Sequence, residues 1–145
     1  MEKQFSIALN SAELIKYAFY KEYHLPPALA HINLTQERIL MTINSGMHLN
    51  MVSIARAIGL EKGPFSQSVD KLETLGYVKR ERSTSDKRQI RLLLTADGMA
   101  ICQQVAASME SHFAKKLNNL AAEELAELDT ALASLKKIAH IIISK

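Results

Sequence analysis

Residues 60–98 read LEKGPFSQSVDKLETLGYVKRERSTSDKRQIRLLLTADG. Two periodicities meet in this stretch. Phe65, Val69, Leu72 and Leu75 recur at three- and four-residue steps, the spacing that lines one face of a helix. Pro64 suits the first turn of that helix, where the backbone N–H has no intrahelical partner to lose. Gly76 ends it. The pattern then changes to period two: YVKRE (77–81) and QIRLLLT (89–95) are strand-like runs. Between them lies RSTSDKR (82–88), a polar and charged loop.

Working outward, Asn50 caps a short helix, MVSIARAI, that Gly59 stops. An earlier helix is expected to start at Thr35 as N-cap, with Arg38 at its third position, to bury Ile39, Leu40 and Ile43, and to stop at Gly46. The order is helix, helix, turn, helix, hairpin: a helix-turn-helix with a β-hairpin appended. On the N-terminal side, Phe5, Ala8, Ala12, Ile15 and Phe19 share one face of a helix over about 3–23, ended by Pro26 and Pro27. On the C-terminal side, Thr95 caps a helix whose first turn holds Asp97 and whose stripe is Ile101, Val105, Met109, Phe113 and Leu117. A last helix carries Leu125, Leu128, Leu132, Leu135, Ala139 and Ile142, a narrow seam of the kind that packs against another helix across an interface.

The expected fold class is therefore mainly α with a small β-hairpin wing. A winged helix-turn-helix lobe (34–96) sits between an N-terminal helix and linker (1–33) and two C-terminal helices (97–145). The lobe alone does not need three further amphipathic helices. They are read as a dimerisation layer, because DNA readers are commonly two-fold symmetric.

Composition agrees. Apolar residues make up 48% of the 145, enough for a core. The net charge of +3 is unevenly spread. Residues 1–34 carry three Lys/Arg against three Asp/Glu, residues 35–95 ten against six, and residues 96–145 five against six. A basic middle between neutral ends suits a polyanion. The single cysteine, Cys102, cannot pair within the chain, which fits a reducing cytoplasm, and it reads as a small buried residue. The N-terminus has no signal-peptide pattern, and no apolar run approaches the about 18 residues that span a bilayer, so no membrane role is expected.

The run LTQERILMTI, then LNMVSIARAIGLEKGPFSQSVDKLETLGYVKRERSTSDKRQIRLLLTADG, resembles the multiple-antibiotic-resistance-regulator (MarR) family over residues 34–98. The ordered set VDKLETLGYVKR, SDKR and LTADG carries the likeness. The resemblance implies a homodimer of winged helix-turn-helix lobes joined by their terminal helices. It would bind a pseudo-palindromic operator in double-stranded DNA, act as a repressor, and be released by a small phenolic or lipophilic effector or by cysteine oxidation. Redox-sensing relatives place that cysteine near the N-terminus, where this chain has none. The effector pocket is expected where the helical layer meets the lobe, near Tyr23, His24 and His31.

The recognition helix should enter the major groove with its N-terminal half. Pro64, Ser66, Gln67 and Lys71 are left facing outward, and Gln67 can pair bidentately with adenine. Family members often carry arginine at the position of Gln67, so the operator preference is expected to differ. On the wing, Arg82, Lys87 and Arg88 can reach a minor groove. Asp86 is expected to hold the Arg88 guanidinium in place, since family wings carry an Asp-x-Arg. Lys62 and Arg56 are phosphate candidates, as are Lys79 and Arg80, of which one only should meet DNA because strand neighbours point to opposite faces.

The rival readings are weaker. No Gly-rich phosphate loop, G-x-S-x-G, H-E-x-x-H or paired-carboxylate motif is present, so no enzyme and no cofactor is expected. His24, His31, His48, His112 and His140 are not spaced for a shared metal. A winged-helix protein-interaction module without ligand response would carry an acidic or apolar recognition face, and this one has Lys62, Lys71 and a basic wing.

Overall fold

The chain turns back on itself wherever a left-handed residue is available. In the computed structural model, which describes residues 2–46, 50–86 and 88–144, Gly46, Gly59 and Gly76 all have φ between 71° and 82°. These are the three stops read from the sequence. The elements are α1 (Glu2–Tyr20), a 3-10 turn (Pro27–Leu29), α2 (Leu34–Asn44), α3 (Met51–Ile58), α4 (Lys62–Thr74), β1 (Val78–Arg82), β2 (Ile90–Leu94), α5 (Ala96–Leu117) and α6 (Ala122–Ile143). The mainly α class with a two-stranded antiparallel hairpin is as expected.

Two ends differ from expectation. α1 stops at Tyr20, well before Pro26 and Pro27, and Glu22 takes φ +66° as the chain leaves it. α2 is capped by Asn33, not Thr35. The Asn33 Oδ1 accepts from the Gln36 N–H at 2.8 Å while the Gln36 side chain accepts from the Asn33 N–H at 2.9 Å. This reciprocal pair satisfies two donors at once, which a lone threonine could not do. Arg38, free of a capping role, donates instead to the Ile58 carbonyl at 3.0 Å and ties α2 to the C-terminal end of α3.

The chain forms two units. The first comprises residues 24–109. Its core gathers Ile39, Leu40 and Ile43 of α2, Ile54 and Ile58 of α3, Phe65, Val69 and Leu72 of α4, Val78 and Leu92 of the hairpin, and Ile101, Cys102 and Val105 of α5, all buried. Each such side chain contributes about 1.5–3 kcal/mol relative to exposure. The hairpin pairs Val78 with Leu94 through Arg82 with Ile90. Its base is pinned to α5. Thr95 caps α5 by accepting from the Gly98 N–H at 2.9 Å, and its hydroxyl donates to the Gly76 carbonyl. A Cβ on Gly98 would collide with the Tyr77 carbonyl oxygen, so only glycine allows this approach. Cys102 lies inside this core with Sγ 3.6 Å from the Leu40 carbonyl, and burial pushes its thiol up to about 11.

Glu37 of α2 is also in this unit and is 1% exposed. Its Oε2 has no partner among the described residues. Removal from water raises its pKa from 4.5 to about 7.

The second unit comprises residues 1–23 and 110–145. Phe113 meets Phe19 and Tyr20 edge-on, with centroids 5.6 and 5.2 Å apart. Lys116 Nζ donates to the Ala18 and Lys21 carbonyls at 2.7 and 3.0 Å, satisfying acceptors that the end of α1 leaves open. α6 has no buried residue, and its seam positions Leu132, Leu135 and Ile142 are 50%, 55% and 68% exposed.

Candidate nucleic-acid interface

α3 and α4 are held by a turn that the local sequence encodes. Asn50 Oδ1 accepts from the Ser53 N–H at 2.8 Å and starts α3. Gly59 ends it in the left-handed conformation, and the Leu60 N–H returns to the Ala55 carbonyl at 3.1 Å. Two residues later α4 begins at Lys62, with Pro64 in its first turn and no acidic side chain there. The carboxylate of the N-cap residue Glu61, which makes no side-chain capping bond, stands just ahead of that turn at the positive end of the helix dipole.

Beside this helix start is an open cavity of about 810 Å³, bounded by α3, α4 and the hairpin. Arg56, Lys62, Arg80 and Arg88 contribute to its lining, with Ser66 between them, and no carboxylate residue does. Phe65 and Ile90 form its apolar floor. A concavity lined by Arg56, Lys62 and Arg88 is a surface that attracts a polyanion.

The structure thus brings together Arg56, Lys62, Ser66 and Arg88 from the expected interface. Pro64, Gln67 and Lys71 are exposed on α4 but do not line this cavity. Arg82 closes β1 opposite Ile90. Lys87 lies outside the described residues, as does His48.

The wing tip differs from expectation in detail. Asp86 Oδ1 accepts from the backbone N–H of Arg88 at 3.0 Å, and the Arg88 Nε is 3.7 Å away, beyond hydrogen-bond range. Asp86 shapes the turn through the backbone, and the Arg88 side chain, 96% exposed, extends into solvent. A two-residue separation favours this local bond to the backbone over one to a long, mobile guanidinium.

The sequence alone does not decide between Lys79 and Arg80. The structure separates them. Lys79 is exposed, while Arg80 crosses to α4, where its Nη2 is 2.6 Å from Asp70 Oδ1 and its Nη1 2.6 Å from Glu73 Oε1. The Glu73 Oε2 also accepts from the Arg80 backbone N–H at 3.3 Å. Partial burial opposes the guanidinium charge, but the two carboxylates outweigh it and raise the Arg80 pKa above its ordinary value. The signal was present as Asp70 and Glu73 at a three-residue step on one helix face, but not the strand that would meet them.

Of the residues expected near an effector, His31 Nε2 is 2.7 Å from the Tyr77 hydroxyl, within the first unit, and His24 is exposed there. Tyr23 belongs to the second unit, where its ring meets His112 at 5.3 Å. The His112 Nε2 is buried without a partner among the described residues. Also among the described residues, no group of His, Cys, Asp and Glu could hold a metal ion, and no helix is long and apolar enough to cross a membrane.

Comparison with known proteins gives this geometry its context. Residues 32–90 match the MarR family model. The regulator SarZ of Staphylococcus haemolyticus is 29% identical over 110 residues, which are 75% of this chain and 71% of that one. The multiple antibiotic resistance protein MarR of Salmonella typhimurium is 29% identical over 105 residues, 72% and 73% of the two chains. Among solved structures, a cysteine-to-serine mutant of MarR from E. coli complexed with operator DNA superposes with a TM-score of 0.61 at 23% identity, covering 91% of this chain and 93% of that one. BpsR of Bordetella bronchiseptica, whose DNA binding is regulated by 6-hydroxynicotinic acid, does so with a TM-score of 0.62 at 16% identity, covering 92% and 98%. The helix-turn-helix, its pinned hairpin and the family match fall on the same residues, so over 32–90 the chain is similar to the MarR family of winged-helix transcriptional regulators.

Proposed function

We propose that the chain is a homodimeric, sequence-specific repressor that binds a pseudo-palindromic operator in double-stranded DNA and is released by a small ligand. The observation that carries the DNA-binding part is the cavity beside the start of α4, lined by Arg56, Lys62 and Arg88 and by no carboxylate among the described residues. In this reading α4 lies in the major groove and presents Pro64, Ser66, Gln67 and Lys71, Gln67 reading adenine. Arg82, Lys87 and Arg88, with Asp86 shaping their turn, reach the minor groove from the wing. Arg56 and Lys62 meet phosphates and set the register. The relative solved on operator DNA supports the same partner.

Residues 34–96 are the DNA-binding part in this proposal, and residues 1–33 and 97–145 form the dimer. The exposed seam at Leu132, Leu135 and Ile142 supports a second copy as the covering surface. The unsatisfied His112 Nε2 beside Tyr23 supports a small-molecule effector with a hydrogen-bonding group, in line with the acid that regulates BpsR. His24 and His31 remain candidates for the same role. In this reading the protein works in the cytoplasm, where the reduced single cysteine is at home.

The test is Arg88→Ala in a gel-shift titration against a duplex selected from a random library with the wild-type protein. Binding should weaken about tenfold or more, and the slope of log affinity against log salt should fall by about 1–2. Unchanged affinity would remove the wing from the interface.

A further inference from the structure

Arg80 is the one cation lining the cavity that is already doubly paired. Its partners are on α4 itself, the helix that enters the groove in the reading above. Asp70 is one turn from Ser66 and three residues from Gln67, and its side chain is 65% exposed; Glu73 follows at the next step and is 41% exposed. Helical geometry sets Asp70 on the flank of the outward face, opposite the buried Phe65, Val69 and Leu72. Asp70, with Glu73 at the edge of the buried face, would bring negative charge close to the phosphates of any duplex seated on α4. Each is instead held 2.6 Å from a guanidinium nitrogen of Arg80.

The geometry points to Arg80 as a residue that governs DNA binding through Asp70 and Glu73, by cancelling their charge, and not by touching DNA. This rests on the DNA-binding reading above. The guanidinium fork suits the task, since its planar N–H groups can serve two acceptors at once where a lysine ammonium presents a point charge. The extra hydrogen bond from the Arg80 backbone N–H to Glu73 fixes β1 to the same helix, so the neutralising group cannot drift from its targets. The wing strand thus sets the charge that the recognition helix shows to a polyanion. Arg80 is distinct in this from Arg56 and Lys62, the phosphate contacts of that reading, which have no carboxylate partner at hydrogen-bond range among the described residues.

The experiment is a set of four proteins titrated against the duplex selected by the wild type, each checked by thermal melting. Arg80→Gln should lose affinity about tenfold or more, because like charges face each other. Adding Asp70→Asn and Glu73→Gln to Arg80→Gln should restore affinity to near the wild-type value. A direct phosphate ligand would not be rescued in this way, so a triple variant as weak as Arg80→Gln overturns the proposal, and so does an Arg80→Gln protein that binds like the wild type. If Arg80→Gln fails to fold, the decision passes to Asp70→Asn with Glu73→Gln in the presence of Arg80. These exposed changes release the guanidinium, so affinity should hold or rise and the salt slope should steepen by about 0.9 for each phosphate newly met. A fall in affinity there overturns it. A wild-type protein that selects no duplex would instead defeat the DNA-binding reading itself.

Discussion

α4 and α6 carry apolar stripes that look alike on paper, yet Phe65, Val69 and Leu72 of α4 are buried while no residue of α6 is. α4 meets α2 and β1 and has its apolar face covered within its own unit. α6 leaves Leu132, Leu135 and Ile142 at least half exposed. The contrast teaches that helical periodicity reports a face that needs covering and does not report by what. For α4 the cover is the core of the lobe. For α6 it is the second copy we propose.

The sharpest way to break this contrast is in the lobe. Phe65→Ala removes a side chain that is 2% exposed and should cost about 3–5 kcal/mol, read by urea unfolding at fixed pH. A loss below about 1 kcal/mol would mean that α4 is not seated on the core as the structure shows. Next is Glu37, a polar flaw in the same core. Its pKa rises from 4.5 unfolded to about 7 folded, so the folded state binds the proton more tightly. Stability is then fully present below pH 4.5 and declines as pH rises to about 7, by about 3 kcal/mol in all, with no further change from this group above that. Glu37→Gln should flatten that slope, and a variant with the wild-type pH profile would refute the assignment. The smallest effect belongs to α6. Leu135→Ala should change the unfolding free energy of dilute protein by no more than about 0.5 kcal/mol, and fall behind the wild type as concentration rises. A large loss independent of concentration would show α6 packed within its own chain.

The lobe was legible because its signals are local. Asn50, Gly59, Gly76 and Thr95 act within a few residues of themselves, and each behaves as read. The glycine of LTADG earns its place through a longer reach, since Gly98 makes room for the Tyr77 carbonyl. The misreadings come where two local options compete. Asn33 with Gln36 outdid Thr35 because a reciprocal pair satisfies more donors. Asp86 keeps the Arg88 side chain as an ion pair at 3.7 Å but accepts its hydrogen bond from the Arg88 backbone, the shorter link costing less conformational freedom. In the candidate site, Arg56, Lys62, Ser66 and Arg88 could be listed from charge and position alone. That Arg80 is claimed by Asp70 and Glu73 could not, because the pairing spans 7 and 10 residues and depends on how the strand folds back over the helix.

The sealed position of Cys102 has a practical side. Its thiol is 2% exposed and held to about 11, so at neutral pH it offers almost no thiolate to a maleimide or an iodoacetamide. It is also the sole cysteine in the chain. For labelling purposes the native protein is therefore blank. A Thr84→Cys substitution at the exposed tip of the hairpin would give one reactive handle per chain, and in the dimer we propose a spin label or fluorophore placed there would report wing-to-wing distance with no need to rebuild the core around a missing sulfur.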